Sequence, residues 1–299
     1  MSDALAVRFT GVGKDYRHFS LAGIDLELPT GSIMGFIGAN GAGKSTTIRI
    51  LMGLIRQDRG EVEVLGYPMP ESLALAKRDI GFVSEDMRLY KGASIAWHMQ
   101  FIASLFPGWD EAYAKELLRR FDLKSEQIVK GLSHGQRVKA ALLLALARRP
   151  RLLMLDEPTT GLDPIARQEV LGALIEALVD ERRTVLFSSQ NTFDVEQISD
   201  RITFIDRGQI VDSGDKEEFL DRWRRIRIDL PIGHALPSIP GIVDFSSSGR
   251  LTVVTTNRFG PGVAAVCESA GVSLLAIDTM TLEEIFVAEV GGRRKEAAA

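Results

Sequence analysis

Apolar residues recur along this chain in two rhythms, and the alternation between them predicts its elements. Residues 32–37 (SIMGFI), 152–155 (LLML) and 184–188 (TVLFS) are apolar runs of the kind that buried strands carry, and 80–83 (IGFV) is a shorter strand. Residues 6–11 and 24–28 (IDLEL) instead alternate apolar with polar, as half-buried antiparallel strands do. Residues 61–65 (EVEVL) add another strand before the turn Gly66-Tyr67-Pro68, and 46–52 (TTIRILM) read as the first turns of a helix. From Met87 to Pro150 helical spacing takes over, with Trp97, Phe101 and Leu105 on one stripe and Leu117, Leu118 and Phe121 on the next. The aromatics there are assigned to packing, whereas residues 87–90 have the mixed character of a docking surface. Ser133 is placed to cap a strongly apolar helix over 138–147, and another helix follows Pro164 to about Val179.

Further on, 195–199 is helical, 201–206 a strand, and Arg207-Gly208 a hairpin turn into 209–212. Asp215 then opens an Asp-x-x-Glu capping pattern for a helix to Arg222. Beyond it, 225–230, 242–245, 251–255 and 272–277 read as strands, and 262–270 and 282–290 as helices. The expected organisation is an α/β domain over residues 1–222, with a mostly helical subdomain at about 87–150. A small C-terminal α+β domain follows over 223–291, then a disordered polar tail over 292–299 (GRRKEAAA).

Composition narrows the function classes. The 299 residues are 25% charged with a net charge of −4, so no global basic field recruits nucleic acid, and no nucleic-acid partner is expected. Residues 222–227 (RWRRIR) interleave basic and aromatic side chains, a pattern that touches lipid headgroups or nucleic acid, or else a solvated helix end running into an edge strand; the second reading is preferred. The single cysteine, Cys267, excludes an intrachain disulfide and a cysteine-based zinc cluster, suits a reducing cytosol, and is expected to be buried in its helix. Residues 1–10 lack the basic start and apolar run of a secretory leader. The longest apolar stretch, 140–147 (AALLLALA), is far short of the roughly 20 residues that cross a bilayer, so a soluble chain is expected.

One stretch organises the rest. Residues 38–46, Gly38, Ala39, Asn40, Gly41, Ala42, Gly43, Lys44, Ser45 and Thr46, fit G-x-x-x-x-G-K-[ST] between a buried strand and a helix start, the context that this motif requires. The glycines let successive backbone N–H groups turn inward around an anion, and the helix N-terminus adds positive potential. Lys44 is expected on the β- and γ-phosphates of a nucleotide and the Ser45 hydroxyl on Mg²⁺. A chance Gly-rich turn is the competing reading, and the strand–loop–helix setting argues against it. Upstream, Tyr16 either stacks on an adenine ring or is a lone surface tyrosine in a hairpin.

Two further motifs, Leu132-Ser133-His134-Gly135-Gln136 and Leu152-Leu153-Met154-Leu155-Asp156-Glu157-Pro158, follow the phosphate loop in order. With them the chain resembles the ATP-binding subunits of ABC transporters over about residues 5–220. LSHGQ is similar to their LSGGQ signature, LLMLDEP to their Walker B strand, and Gly161-Leu162-Asp163 to their D-loop. The resemblance implies a P-loop NTPase of the ABC ATPase type, α/β with an N-terminal antiparallel β subdomain, binding ATP and Mg²⁺. The C-terminal part, with Thr281-Leu282-Glu283-Glu284-Ile285-Phe286, looks like the tail of ATPases that serve bacterial ABC-2-type exporters. Asp156 would hold the Mg²⁺ hydration shell and Glu157 would orient or deprotonate the attacking water. The resemblance also implies that the signature of one subunit, with Ser133, Gly135 and Gln136, closes over nucleotide held by the other, with Asp163 beside it. One copy of each motif per chain then implies a homodimer or a heterodimer, with ATP as the glue, driving a separate transmembrane permease subunit from the cytoplasmic face of the membrane.

Three positions depart from the family pattern. Glu85 stands where glutamine is usual, Gln190 where histidine is usual, and His134 where glycine is usual; the other histidines, His18, His98 and His234, are too distant in the chain to substitute by a register slip. Glu85 adds negative charge near a phosphate unless it reaches the Mg²⁺ or is offset by a cation. Gln190 keeps a hydrogen-bond donor for the γ-phosphate but cannot titrate. The favoured reading is a live, slower ATPase in which Glu85 and Gln190 form a matched pair and Glu157 remains catalytic. The alternatives are a weakly hydrolysing half of an asymmetric pair and a soluble ABC ATPase of translation or DNA repair. His134 is read as a tolerated surface residue.

Overall fold

The two rhythms resolve into elements of the expected kinds. In a computed structural model that describes residues 4–179 and 183–296, the chain opens with β1 (Leu5–Tyr16), β2 (Phe19–Pro29), β3 (Ile33–Ile37), α1 (Lys44–Leu51), β4 (Arg59–Val64), β5 (Tyr67–Pro68), α2 (Leu73–Ala76) and β6 (Ile80–Ser84). A helical stretch follows: α3 (Ile95–Leu105), α4 (Glu111–Arg120), a 3₁₀ turn (Val129–Gly131) and α5 (His134–Leu146). Then come β7 (Leu152–Asp156), α6 (Pro164–Val179), β8 (Thr184–Ser189), α7 (Thr192–Ile198), β9 (Arg201–Asp206) and β10 (Gln209–Asp215). The chain ends in α8 (Lys216–Arg222), β11 (Arg224–Asp229), β12 (Ile242–Ser248), β13 (Leu251–Thr256), α9 (Val263–Ser269), β14 (Ser273–Thr279) and α10 (Leu282–Glu296).

The alternating strands form one antiparallel sheet, ordered β2-β1-β4-β5, and the continuous runs another, ordered β10-β9-β3-β8-β7-β6. In the second sheet β6, β7, β8, β3 and β9 pair in parallel, so each needs a crossover and both faces must be covered. The cover is tight at Gly35 of β3, where a Cβ would lie 1.9 Å from Cγ1 of Val195 on α7. Phe36, Leu153, Met154 and Phe187 of the strands and Ile48 and Leu51 of α1 are fully buried around it.

The helical stretch is capped as its sequence suggests. The Ser94 and Asp110 side chains accept from the Trp97 and Tyr113 amides, and Ser133 and Gln136 form a reciprocal capping box at the start of α5. One assignment is overturned. Trp97, Phe101 and Leu105, expected in the core, are 42%, 41% and 55% exposed, while Ile95, His98 and Met99 form the buried face of α3. Both faces of this helix are apolar, so spacing alone does not say which one is covered. The outward rings pack on each other instead, Trp97 stacked on Phe101 at 5.2 Å and edge-on to Tyr90 at 5.5 Å.

The chain divides into two compact units after Ile210, not at the expected 222/223 boundary. The end of β10 and α8 go with the smaller unit because they pair inside it: Arg222 bridges Asp212 at 2.6 Å, and Arg293 donates to the Val211 carbonyl. The smaller unit carries an antiparallel sheet, β12-β13-β11-β14, over a core of Ile226, Ile228, Val254, Val263 and the fully buried Cys267, whose thiol burial pushes up in pKa. Two further expectations fail here. Residues 292–296 are not a disordered tail but the end of α10, where a Cβ on Gly292 would lie 2.7 Å from Val243; residues 297–299 lie outside the described residues. β11 is a central strand, not an edge, and its arginines face carboxylates, Arg225 on Glu284 at 2.5 Å and Arg227 on Asp278 at 2.8 Å. Trp223 is buried completely. Internal ion pairs thus engage Arg222, Arg225 and Arg227 of the RWRRIR pattern.

Candidate functional site

Parallel register brings four chain segments to one line. Ile37 at the end of β3 lies opposite Ser189 of β8, Ser188 opposite Asp156 of β7, and Asp156 opposite Ser84 of β6. The residues just past those strand ends, the loop from Gly38, Gln190, Glu157 and Glu85, therefore emerge side by side at the carboxyl edge of the sheet, at strand spacings of about 4.8 Å.

There the chain walls an open cavity of about 660 Å³. Ala39, Asn40, Gly41, Gly43, Lys44, Ser45 and Thr46 line it together with Glu85, Glu157 and Gln190. Gly43 carries the loop into α1 at φ +118°, and a Cβ on it would lie 2.7 Å from Leu21, so this position admits no side chain. Gly38 and Ala42 lie behind the loop, Ala42 buried and Gly38 giving its carbonyl to Lys44. Tyr16 does not line the cavity: it is 45% exposed and stacks on Phe19, and Phe19 with His18 forms that wall instead.

Lys44 is buried beneath the loop, donating to the Gly38 and Ala39 carbonyls at 2.7 and 3.3 Å, with its ammonium 3.0 Å from Glu157 Oε1. Glu157 sits at φ +52°, a left-handed conformation that costs a non-glycine residue roughly 1–2 kcal/mol. Its amide donates to the carbonyl and Oγ of Ser188, both at 3.2 Å, and Oε2 accepts from Thr160 Oγ1 at 3.0 Å and the Gln190 backbone N–H at 3.3 Å. Such a strained residue, held from several sides, presents its carboxylate at a fixed point of the cavity.

Asp156 lies deeper. Its Oδ1 accepts from Ser188 Oγ at 2.7 Å and Ser45 Oγ at 3.2 Å, and burial holds its carboxyl above the usual carboxylate range despite those bonds. Among the described residues no group of three His, Cys, Asp or Glu could hold a metal alone. A carboxylate and a hydroxyl at one end of a phosphate loop are a donor set suited to Mg²⁺ that keeps waters and takes phosphate oxygens as further ligands.

The signature residues stand elsewhere. Ser133, Gly135 and Gln136 form the first turn of α5 and are absent from the cavity walls. Asp163 caps α6, accepting from the Ile165 and Ala166 amides at 3.0 Å each. His134, read as a tolerated surface residue, is half-buried and reaches the Thr160 carbonyl at 3.2 Å. Sequence reasoning missed Thr160 and Ser188, which hold the carboxylates of Glu157 and Asp156, and the buried network in which Asp194 accepts from Thr159 Oγ1 at 2.7 Å and Arg167 Nε at 2.8 Å. Ser188 and Asp194 lie far along the chain from the groups they hold, so no local pattern announces them; Thr160 follows Glu157 closely, but its residue type alone marks no role.

A family profile described as "ABC transporter" matches residues 21–160. The daunorubicin resistance ATP-binding protein DrrA3 of Streptomyces coeruleorubidus is 32% identical over 298 residues, covering 93% of this chain and 94% of its own length. The methionine import ATP-binding protein MetN of Nocardia farcinica is 34% identical, over 71% of this chain and 68% of its own. Among solved structures, one described as an ATP-binding subunit of an ABC transporter superposes with a TM-score of 0.64 at 25% identity, covering 72% of this chain and 92% of that one.

Proposed function

Because this chain belongs to the ATP-binding subunits of ABC transporters, which bind and hydrolyse ATP, we propose that it works as a pair of chains closed around two ATP, driving separate membrane-spanning export subunits. The observation that carries the reading is the division of labour within one chain. The phosphate loop, Glu157, Glu85 and Gln190 line one cavity, with Asp156 beneath Ser45, while Ser133, Gly135 and Gln136 are not among its walls, which leaves them for a second chain. Asp163, beside that signature, faces the same second chain.

Lys44 and the loop amides would hold the β- and γ-phosphates, and Ser45, Asp156 and Glu85 the Mg²⁺. Bound there, Mg²⁺ neutralises charge that develops on the phosphate oxygens. Glu157, fixed by Thr160 and Gln190, takes the proton of the attacking water or orients it, and the Gln190 amide group offers the γ-phosphate a donor. Phe19, in place of Tyr16, offers the adenine a ring. Glu85 and Gln190, which line the same cavity, fit a slower, live ATPase better than an inert partner, since Glu157 stays held by Lys44, Thr160 and the Gln190 backbone N–H.

Two features support the exporter side. The resistance-type relative of Streptomyces coeruleorubidus is matched over 93% of this chain, so the match takes in most of the C-terminal unit. Next to Glu85 a groove of about 320 Å³ has an apolar floor, including Val83, Leu89 and Val138, and a basic rim of Arg88, Lys91, Lys130 and Arg137, close to the exposed Tyr90. It offers a seat for a permease segment. Among the described residues no helix is long and apolar enough to cross a membrane, so the spans come from that partner, which holds this chain at the cytoplasmic face.

Purified protein tests the reading. Mg²⁺-dependent ATP turnover that Glu157→Gln abolishes, with recovery alongside a polytopic protein from solubilised membranes, is the expected result. No turnover, or no effect of Glu157→Gln, overturns the live-ATPase reading, and recovery with ribosomes or DNA overturns the transport reading.

A further inference from the structure

The family's signature has glycine where this chain has His134, and the side chain that replaces it makes a specific contact. His134 Nε2 lies 3.2 Å from the Thr160 carbonyl oxygen. A carbonyl has no proton to give, so Nε2 carries the hydrogen and donates, in the neutral ring and in the imidazolium alike. Thr160 in turn donates through Oγ1 to Glu157 Oε2 at 3.0 Å. Three residues thus connect the first turn of α5 to the catalytic carboxylate of the same chain: an imidazole, a threonine that accepts at its carbonyl and donates at its hydroxyl, and Glu157.

The two ends of this relay belong to different nucleotides. In the two-chain arrangement, the first turn of α5 serves ATP held by the partner, whereas Glu157 serves ATP held in its own cavity. A second contact makes the linkage stiff: a Cβ on Gly135 would lie 3.2 Å from Cβ of Ala166, so α5 starts in close contact with the start of α6, just beyond the loop that carries Thr160. A shift of the signature turn toward the partner's phosphate therefore moves the Thr160 loop with it.

We infer that His134 is a positioning residue that ties the placement of Glu157 in one site to the closure of the signature over the other. It acts through Thr160. The inference rests on the two-chain reading. It requires a donor at this position, and it predicts that losing the donor lowers the chemical rate and leaves nucleotide-driven pairing intact.

The test uses the full chain with His134→Leu, which keeps bulk and removes the donor, and His134→Gln, whose amide nitrogen replaces Nε2. Steady-state ATPase kinetics should give His134→Leu a kcat about fivefold lower, the worth of one neutral hydrogen bond, with KM for ATP unchanged, and His134→Gln a kcat within twofold of the wild type. Each substitution is also placed on Glu157→Gln and its pairing with Mg-ATP followed by light scattering, where the midpoint in ATP should not move. Equal kcat in His134→Leu and the wild type, or equal loss in Leu and Gln, overturns the inference. So does a pairing midpoint that shifts in step with kcat, since His134 would then act on the nucleotide sandwich itself. Failure of Glu157→Gln alone to pair would overturn the two-chain reading and the inference with it, whereas pairing of Glu157→Gln together with an unchanged kcat in His134→Leu would overturn the inference alone.

Discussion

At the scale of single residues, two adjacent carboxylates are separated in role by their surroundings. Glu157, at the cavity wall with Lys44 and Thr160 as partners, is the group proposed to meet water; Asp156, beneath Ser45, is the one proposed to meet metal. Glu157→Gln should cut turnover by at least about 100-fold, the worth of a positioned general base, and tighten ATP binding by freeing Lys44 of its carboxylate partner; steady-state assays and equilibrium titration check both. Burial raises the Asp156 pKa, so the folded chain holds that proton more tightly than the unfolded chain. Stability is therefore lost as pH rises from the ordinary carboxylate range through the folded-state pKa, and at neutral pH the buried charge is a net cost. Asp156→Asn should raise the melting temperature at neutral pH by about 2–4 °C while removing Mg²⁺-dependent turnover. Mg²⁺ affinity in the wild type should begin to weaken on acidification at a pH above about 4, where an unperturbed carboxylate would still be ionised. These residues were legible in the sequence because the phosphate loop and the Asp-Glu pair are contiguous. Ser188 was not, because its part depends on which strand ends lie side by side; Thr160, close after Glu157, was not because its residue type alone marks no role; and Tyr16 was named without Phe19 because a hairpin sequence does not say which ring turns toward the cavity.

At the scale of elements, the loop after β7 is anchored from behind. Asp194 on α7 is fully buried and receives Thr159 Oγ1 and the Arg167 guanidinium of α6, so one carboxylate fixes two helices and the loop that carries Glu157. Asp194→Ala leaves an arginine and a hydroxyl without that partner and should destabilise the larger unit by about 3 kcal/mol, read by urea unfolding, with the loss of turnover exceeding the loss of folded protein. Nearby, Arg148 at the end of α5 stacks on Phe106 with its guanidinium carbon 3.4 Å from the ring centroid and donates to the Lys77 and Arg78 carbonyls; burial lowers its pKa to about 10. That packing makes Arg148→Lys a poor substitute, expected to cost about 1 kcal/mol by the same measurement. Element types were readable from apolar rhythm, and caps such as Ser133 and Asp215 from residue type. The covered face of α3 was not, because Ile95-Met99 and Trp97-Phe101 are equally apolar and only tertiary packing chooses between them. The length of α10 was missed for the opposite reason: its polar last turn looks like a tail, yet Arg293 is tied to Glu289 and to the Val211 carbonyl.

At the scale of the whole molecule, the chain reads as half of a machine. Its phosphate loop, Glu85, Glu157 and Gln190 line one cavity, and the first turn of α5 is not among the walls of that cavity. The measurement that bears most directly on this is the mass of the Glu157→Gln protein in solution, by light scattering, with and without saturating Mg-ATP. Mass should double with nucleotide, return to that of one chain when Mg²⁺ is chelated, and stay at one chain when Ser133→Arg is added. A mass that does not change with nucleotide, or a Ser133→Arg protein that pairs as well as its parent, would contradict the account.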